Sequence, residues 1–192
     1  RVRSSAASDV YKRQYYDQGY ANLRESVKAT FPGKIVSIVP NSDFTKVIIN
    51  TSSEKDPGTG YFYDVSKGKI EFIASYAPWL QDYDLGSTYP FEFTARDGVE
   101  LMGYLTLPPG YKKGDKIPFI LHPHGGPNAK DRFGFNPEVQ IYATRGYGVL
   151  QINYRGSVGF GLKEMKLANK QWSLAMHDLS LIHISEPTRL RR

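Results

Sequence analysis

The chain has 192 residues, with 25 Lys and Arg against 19 Asp and Glu, a formal net charge of +6, 40% hydrophobic residues and no cysteine. This length suits one ordinary domain or parts of two. The missing cysteines exclude disulfides, thiolate metal sites and a cysteine nucleophile. The four histidines lack zinc-ligand spacings such as H-E-x-x-H, so we expect no metal. No apolar run approaches the roughly 20 residues that cross a bilayer, so we expect no membrane partner.

The positive charge is concentrated at the two ends. Residues 1–14 and 180–192 together carry five of the six net charges, and the middle of the chain is almost neutral. A nucleic-acid-binding protein concentrates basic residues on its folded part. Because the middle of this chain is almost neutral, we expect no nucleic-acid partner. The terminal strings resemble translated cloning or adapter sequence, and residues 1–14 and 179–192 are therefore predicted to be non-native tails. Disordered basic tails are the alternative.

The first predicted domain, residues 15–77, contains a helix and four short strands. Residues 15–30 carry Tyr20, Leu23 and Val27 at helical spacing and end at a Phe-Pro-Gly stop signal. The β-branched and aromatic runs that follow are residues 35–40, 46–53, 61–65 and 70–76. Four strands in a meander match one propeller blade, which cannot bury its own faces. A small free-standing antiparallel sheet is the alternative.

Residues 78–87 are predicted to be a linker, and residues 88–178 a second domain of the α/β class. Its predicted elements are a hairpin of residues 89–95 and 99–107, a strand at 117–122, a helix at 137–144, a strand at 149–154 and a helix at 163–176. The continuous apolar run at 117–122 is typical of a strand buried on both faces. Trp79 and Trp172 are predicted to serve core or interdomain packing.

The segment that indicates chemistry is His124-Gly125-Gly126-Pro127, directly after the predicted strand. A glycine-rich turn at a strand end lets a backbone N–H approach the place where an oxyanion forms, because no side chain blocks it. Gly125 and Gly126 are therefore candidates for an oxyanion hole. The alternative is a tight turn that uses glycine only for its positive φ.

Three further residues are candidates for loops around the site: His124, Arg155 and Gly156. We favour a structural role for the His124 side chain over substrate contact. Arg155 follows a predicted buried strand, where ligands meet α/β sheets, and a bracing salt bridge is favoured over substrate binding. His122 lies in an apolar run and is expected to be buried and neutral. The glycines around Gly156 lack the nucleotide-binding patterns, so no cofactor is expected.

Residues 124–161 combine H-G-G-P, R-G-Y-G-V-L and N-Y-R-G-S-V-G-F-G. This combination closely resembles the start of the catalytic domain in the prolyl oligopeptidase family of serine peptidases, in its acylaminoacyl-peptidase and dipeptidyl-aminopeptidase-like branch. The upstream strands, with D-P-G-T-G-Y-F-Y-D, resemble the last propeller blade of that family. The resemblance covers nearly all of residues 15–178. It implies the N-terminal part of an α/β-hydrolase sheet, preceded by antiparallel strands of a last β-propeller blade.

The resemblance also implies peptide hydrolysis through Ser, Asp and His, with the serine on a G-x-S-x-G elbow. The chain contains no G-x-S-x-G, and Ser157 in R-G-S-V-G does not fit that pattern. We therefore expect a fragment of a peptidase that acts on peptide substrates, with the oxyanion loop but no catalytic triad, inactive alone. The alternatives are a carboxylesterase or lipase fragment and a non-catalytic β-rich binding module. Exopeptidase or endopeptidase action, oligomeric state, and a cytoplasmic or bacterial periplasmic location stay open.

Overall fold

A computed structural model describes residue 15 and residues 17–95, 98–126 and 128–170. The chain divides into two compact units. One unit holds the described residues up to Leu85 together with Gly134–Pro137, and the other holds the rest from Gly86 onward. Each unit has its own four-stranded sheet. In the described part of the chain, no helix is both long enough and apolar enough to cross a membrane.

The first unit begins with a capped helix, α1, at Gln18–Thr30. The Asp17 side chain accepts a hydrogen bond from the Tyr20 N–H at 2.8 Å, which satisfies one of the donors that a helix leaves unpaired at its start. Gly33, with φ of +75°, lies in the turn that follows the helix. The predicted helix is thus confirmed, beginning three residues later than expected.

The first sheet is an antiparallel meander of four strands in chain order, as predicted: β1 at Ile35–Pro40, β2 at Lys46–Ser52, β3 at Thr59–Asp64 and β4 at Lys69–Ser75. Buried and exposed residues alternate in β1 and β2, because successive side chains of a strand point to opposite faces. The buried set of Val36, Ile38, Val47 and Ile49 packs with Val27 of α1 to form the core of this unit.

The predicted linker and Trp79 lie at the end of this unit. Residues 78–82, in the predicted linker, form a short 3-10 helix, Pro78–Asp82. Trp79, predicted to serve core or interdomain packing, is 62% exposed and so lies outside the core of its unit. The large side chains of Phe72 and Ile73 on β4 are exposed as well. Large apolar side chains therefore remain uncovered on β4.

The second unit contains a mixed sheet. Its elements are β5 at Ser87–Thr94, β6 at Glu100–Leu107, β7 at Phe119–Leu121, α2 at Pro137–Ala143, β8 at Gly148–Asn153 and α3 at Leu162–Lys166. The strand order is β5-β6-β8-β7, and only β7 and β8 are parallel. The helix α2 lies between these two strands in sequence, which is the connection that a parallel pair requires. The first residue of β5, Ser87, lies within the predicted linker.

Two predicted elements of this unit differ from the structure. The predicted strand at 117–122 is only three residues long and is not buried on both faces, because Phe119 is 49% exposed and Ile120 and Leu121 are only partly buried. Among the described residues, β7 pairs only with β8. The predicted helix at 163–176 ends at Lys166 and is followed by a turn, in which Lys170 has a φ of +61°. Residues 171–176 lie outside the described residues.

A buried amide fixes α2 against the start of β5. The side chain of Gln140 accepts a hydrogen bond from the Gly86 N–H at 2.8 Å and donates one to the Gly86 carbonyl at 3.0 Å. There is no room for a side chain at Gly86, where an added Cβ would lie 2.8 Å from the Cβ of Ala143. These hydrogen bonds and this close packing hold α2, the helix that connects the parallel strands β7 and β8 in sequence.

Candidate functional site

The glycine pair lies in the loop that follows β7. The ladder between β7 and β8 extends through His122, whose N–H donates to the Leu150 carbonyl at 2.8 Å. Gly125 and Gly126 then follow on the surface. Gly126 has a φ of +139°, and an added Cβ would lie 3.0 Å from the backbone nitrogen of Asn128. At Gly125 an added Cβ would meet nothing within 4 Å. The loop thus needs glycine at position 126 and presents an open backbone at both positions.

His124 holds this loop through both of its ring nitrogens. Nδ1 lies 2.8 Å from the carbonyl oxygen of Gly125, and Nε2 lies 2.9 Å from Oγ of Ser157. The ring also stacks on Tyr154, with the centroids 4.3 Å apart and the planes 19° apart. Contacts on three sides fix the side chain of His124. A structural role for this side chain stays a prediction.

The segment after β8 forms the other half of this arrangement. The Tyr154 hydroxyl donates to the His124 carbonyl at 2.9 Å, and the Ser157 hydroxyl donates to the Tyr154 carbonyl at 2.6 Å. The Val158 N–H donates to the Ala129 carbonyl at 3.1 Å, just past the glycine pair. Residues 154–158 therefore brace the glycine loop along its length.

Polar residues at the end of β8 form a cluster that the sequence alone did not predict. Gln151 and Asn153 are buried on the same face of the strand, and both hold Asp131. The Gln151 amide donates to Oδ1 of Asp131 at 2.9 Å. The Asn153 side chain accepts from the Asp131 N–H at 2.8 Å and donates to its carbonyl at 3.2 Å. Two amide side chains on alternate residues of an otherwise apolar strand are the sequence signal that could have indicated this hydrogen-bonded cluster around Asp131.

The pKa of the Asp131 carboxyl reflects both its burial and the histidines of this segment. Burial raises the pKa of the Asp131 carboxyl above its usual value, and the charge of His124, the Gln151 hydrogen bond and the charge of His122 act in the opposite direction. His122 itself departs from its prediction, because its side chain keeps 21% of its surface exposed and its Nε2 lies 3.2 Å from Oε2 of Glu138. It is paired with a carboxylate rather than sealed in an apolar core.

Arg155 and Gly156 lie in sequence between Tyr154 and Ser157, the two residues whose side chains contact His124. Both are buried, and Gly156 has a φ of +93°, which a side chain disfavours. The structure therefore brings His124, Gly125 and Gly126 together on one loop and places Arg155 and Gly156 in the segment that braces it. A bracing salt bridge at Arg155 stays a prediction. Among the described residues, no three side chains of His, Asp or Glu are grouped closely enough to hold a metal ion.

The chemistry that this arrangement can supply comes from its backbone. An exposed glycine loop held by buried groups presents N–H donors in fixed directions, as the stabilisation of a forming oxyanion requires. Ser157 is not placed to act as a nucleophile, because only 2% of its surface is exposed and its hydroxyl proton is donated to a carbonyl. The Nε2 atom of His124 contacts the Ser157 hydroxyl, and that hydroxyl donates its proton to the Tyr154 carbonyl rather than to the histidine.

The sequence of this chain is similar to those of known peptidases. The chain is 35% identical over 160 residues to dipeptidyl aminopeptidase BIII of Pseudoxanthomonas mexicana, covering 80% of this chain and 23% of that protein. It is 34% identical over 167 residues to dipeptidyl peptidase family member 6 of Caenorhabditis elegans, covering 76% and 23%. The chain thus spans about a quarter of the length of these relatives. No family model matches it.

Solved structures show the same fold. The acylaminoacyl peptidase of Pyrococcus horikoshii matches with a TM-score of 0.63 and 24% identity, over 83% of this chain and 25% of that one. A puromycin-hydrolyzing peptidase of Mycobacterium tuberculosis matches with a TM-score of 0.58 and 21% identity, over 72% and 23%.

These relatives and the solved structures with the same fold are named as peptidases, which is the class of protein that they define. Within that class the chain belongs to the prolyl oligopeptidase family, as the combined motifs of residues 124–161 indicated.

Proposed function

We propose that this chain is a fragment of a serine peptidase that hydrolyses peptide bonds through an acyl-enzyme, and that it supplies the oxyanion loop. The observation that carries the proposal is the exposed Gly125-Gly126 backbone, held from beneath by His124, at the end of a strand in a mixed sheet. In acyl transfer a serine oxygen attacks the scissile carbonyl, whose oxygen becomes negative. The Gly126 N–H, with that of Gly125, is proposed to donate to this oxygen.

The two units fit the proposed domains of such an enzyme. We assign residues 88–178 to the N-terminal part of an α/β-hydrolase domain, residues 78–87 to a linker and residues 15–77 to a last propeller blade, with residues 1–14 and 179–192 as non-native tails. The mixed order β5-β6-β8-β7 and the meander β1 to β4 support these assignments. The uncovered apolar side chains of β4 support a blade that packs on neighbours.

A peptide substrate is proposed from the relatives. One acylaminoacyl peptidase structure with the same fold holds Z-Gly-Gly-Phe-chloromethyl ketone, a peptide derivative. The curated relatives carry the names of dipeptidyl peptidases, which act on peptides. A carboxylesterase or lipase would share an H-G-G loop, but the meander upstream and these relatives favour a peptidase.

The proposal is tested with the full-length protein and with the 192-residue chain, both assayed on a panel of peptidyl p-nitroanilides. We expect the full-length protein to release p-nitroaniline and to be inhibited by a fluorophosphonate. We expect no release by the chain alone, because it contains no G-x-S-x-G. A full-length protein that cleaves p-nitrophenyl esters but no peptide would favour the esterase alternative, and turnover by the chain alone would contradict the assignment of the nucleophile.

A further inference from the structure

The side chain of Lys130 lies along the segment that follows β8. Gly159 of that segment has a φ of +91°, and a Cβ added there would lie 2.5 Å from Nζ of Lys130, 3.1 Å from its Cε and 3.3 Å from its Cδ. The outer half of the lysine side chain therefore occupies the space that a side chain at position 159 would fill. Glycine is needed at this position both for its backbone conformation and for this close approach.

The ammonium group of Lys130 is placed over an aromatic ring. Nζ lies 5.5 Å from the centroid of the Phe160 ring, which is within the range of a cation–π contact. The consecutive residues Gly159 and Phe160 thus hold the stem and the head of the lysine, and the side chains of Lys130 and Phe160 are both half-buried. An aromatic ring carries no net charge, so this contact positions the ammonium without neutralising it.

Lys130 is also held close to the glycine loop. A Cβ added at Gly126 would lie 3.2 Å from the backbone nitrogen and 3.3 Å from the Cβ of Ala129, the residue just before Lys130. The Ala129 carbonyl accepts from the Val158 N–H at 3.1 Å, which ties this part of the loop to the segment after β8. Because consecutive Cα atoms are about 3.8 Å apart, the Cα atom of Lys130 lies within roughly three residues' length of Gly126 along an extended peptide.

We propose that Lys130 is a specificity residue that binds a carboxylate of the peptide substrate, located within about three residues of the scissile bond. The inference rests on the proposed function of the glycine loop. Lys130 and its two partners follow the carboxyl ends of the parallel strands β7 and β8, and ligands bind at this edge in α/β sheets. An ammonium held there attracts a carboxylate and donates a charge-assisted hydrogen bond to it. An acidic side chain and a free C-terminus both supply this group.

The test uses the full-length protein and three pairs of matched peptides, whose cleavage is followed by liquid chromatography and mass spectrometry. The first pair carries Glu or Gln on the amino side of the scissile bond, and the second pair carries Glu or Gln on its carboxyl side. The third pair ends shortly after the scissile bond in a free carboxylate or in an amide. We expect the wild type to prefer the carboxylate about tenfold in kcat/KM in one of these pairs, through a lower KM. The pair that shows the preference identifies the source of the carboxylate.

Variants of Lys130 separate its charge from its packing. Lys130→Met keeps an unbranched stem and removes the charge, so we expect the preference for the carboxylate to disappear. Lys130→Arg keeps the charge and should retain most of the preference, and Phe160→Leu, which removes the ring beneath the ammonium, should weaken it. Lys113→Met is the matched control, because it removes a lysine charge from the exposed stretch between β6 and β7 and should leave the preference unchanged.

Two results would overturn the proposal. One is an equal preference in the wild type and in Lys130→Met, and the other is a wild type that cleaves both members of every pair alike. If Lys130→Met does not fold, Phe160→Leu decides, since a preference equal to that of the wild type would then contradict the role of Lys130. A wild type that cleaves none of the peptides would instead refute the proposed function. Calorimetric binding of the same peptides to the wild type and to Lys130→Arg and Lys130→Met would still decide whether Lys130 binds a carboxylate.

Discussion

Replacement of Gly126 by Ala in the full-length protein is expected to lower kcat about a hundredfold, which is the loss typical of one oxyanion donor. Gly126 has a φ of +139°, and the new Cβ would lie 3.0 Å from the Asn128 nitrogen. The peptide must rotate to relieve this contact, and the rotation turns its N–H away from the reacting oxygen. Steady-state hydrolysis of a peptidyl p-nitroanilide measures the effect, which should appear in kcat rather than in KM.

Another glycine of positive φ serves as the control for Gly126. Gly68, in the turn between β3 and β4, has a φ of +63°, and an added Cβ there would meet nothing within 4 Å. Gly68→Ala should cost about 1 kcal/mol of stability and leave kcat unchanged. Gly125→Ala, with neither a positive φ nor a close contact, should reduce kcat less than Gly126→Ala does. Equal activity in Gly126→Ala and the wild type would remove Gly126 from the oxyanion hole.

The second large effect is on stability, at Gly103 in the middle of β6. An added Cβ there would collide with the backbone oxygen of Gln151 and lie 2.9 Å from the ring of Phe91. The Gln151 oxygen cannot move freely to make room, since it belongs to the backbone of the adjacent strand, β8. We expect Gly103→Ala to destabilise the second unit by about 3 kcal/mol. Thermal unfolding of the full-length protein, monitored by limited proteolysis, measures this loss of stability.

The matched control for Gly103 is Gly60, a strand glycine of the first sheet. The nearest atom to an added Cβ at Gly60 is the Ala74 carbonyl oxygen at 3.7 Å, which is an ordinary contact. Gly60→Ala should change the stability by less than about 1 kcal/mol. If the two variants unfold alike, close packing of β6 against β8 does not limit the stability of this unit.

The sequence was most informative where local patterns decide the structure. The four strands of the first sheet were found from their β-branched and aromatic runs, because alternation with a polar turn at each end is a local signal. The position of the glycine loop after β7 could be predicted because two adjacent glycines follow closely on an apolar run, which is a local signal as well. In both cases the residues that define the feature are close together in the chain.

Features that depend on distant partners were predicted less well. The run at 117–122 is mainly apolar, but the burial of its side chains depends on which distant segments pack on the faces of the sheet, and Phe119 of β7 is 49% exposed. Gln151 and Asn153 were counted as ordinary members of a buried strand, since their partner Asp131 is 20 residues or more away. The contact between His124 and Ser157 spans 33 residues, and no local pattern indicates it.

The central claim is that this chain supplies an oxyanion loop to a nucleophile located elsewhere in the full-length protein. The most direct measurement treats that protein with a fluorophosphonate and maps the modified residue by mass spectrometry. We predict a single adduct, on the serine of a G-x-S-x-G sequence outside these 192 residues, and none on the buried Ser157. An adduct on Ser157, or on any other serine of this chain, would contradict the account.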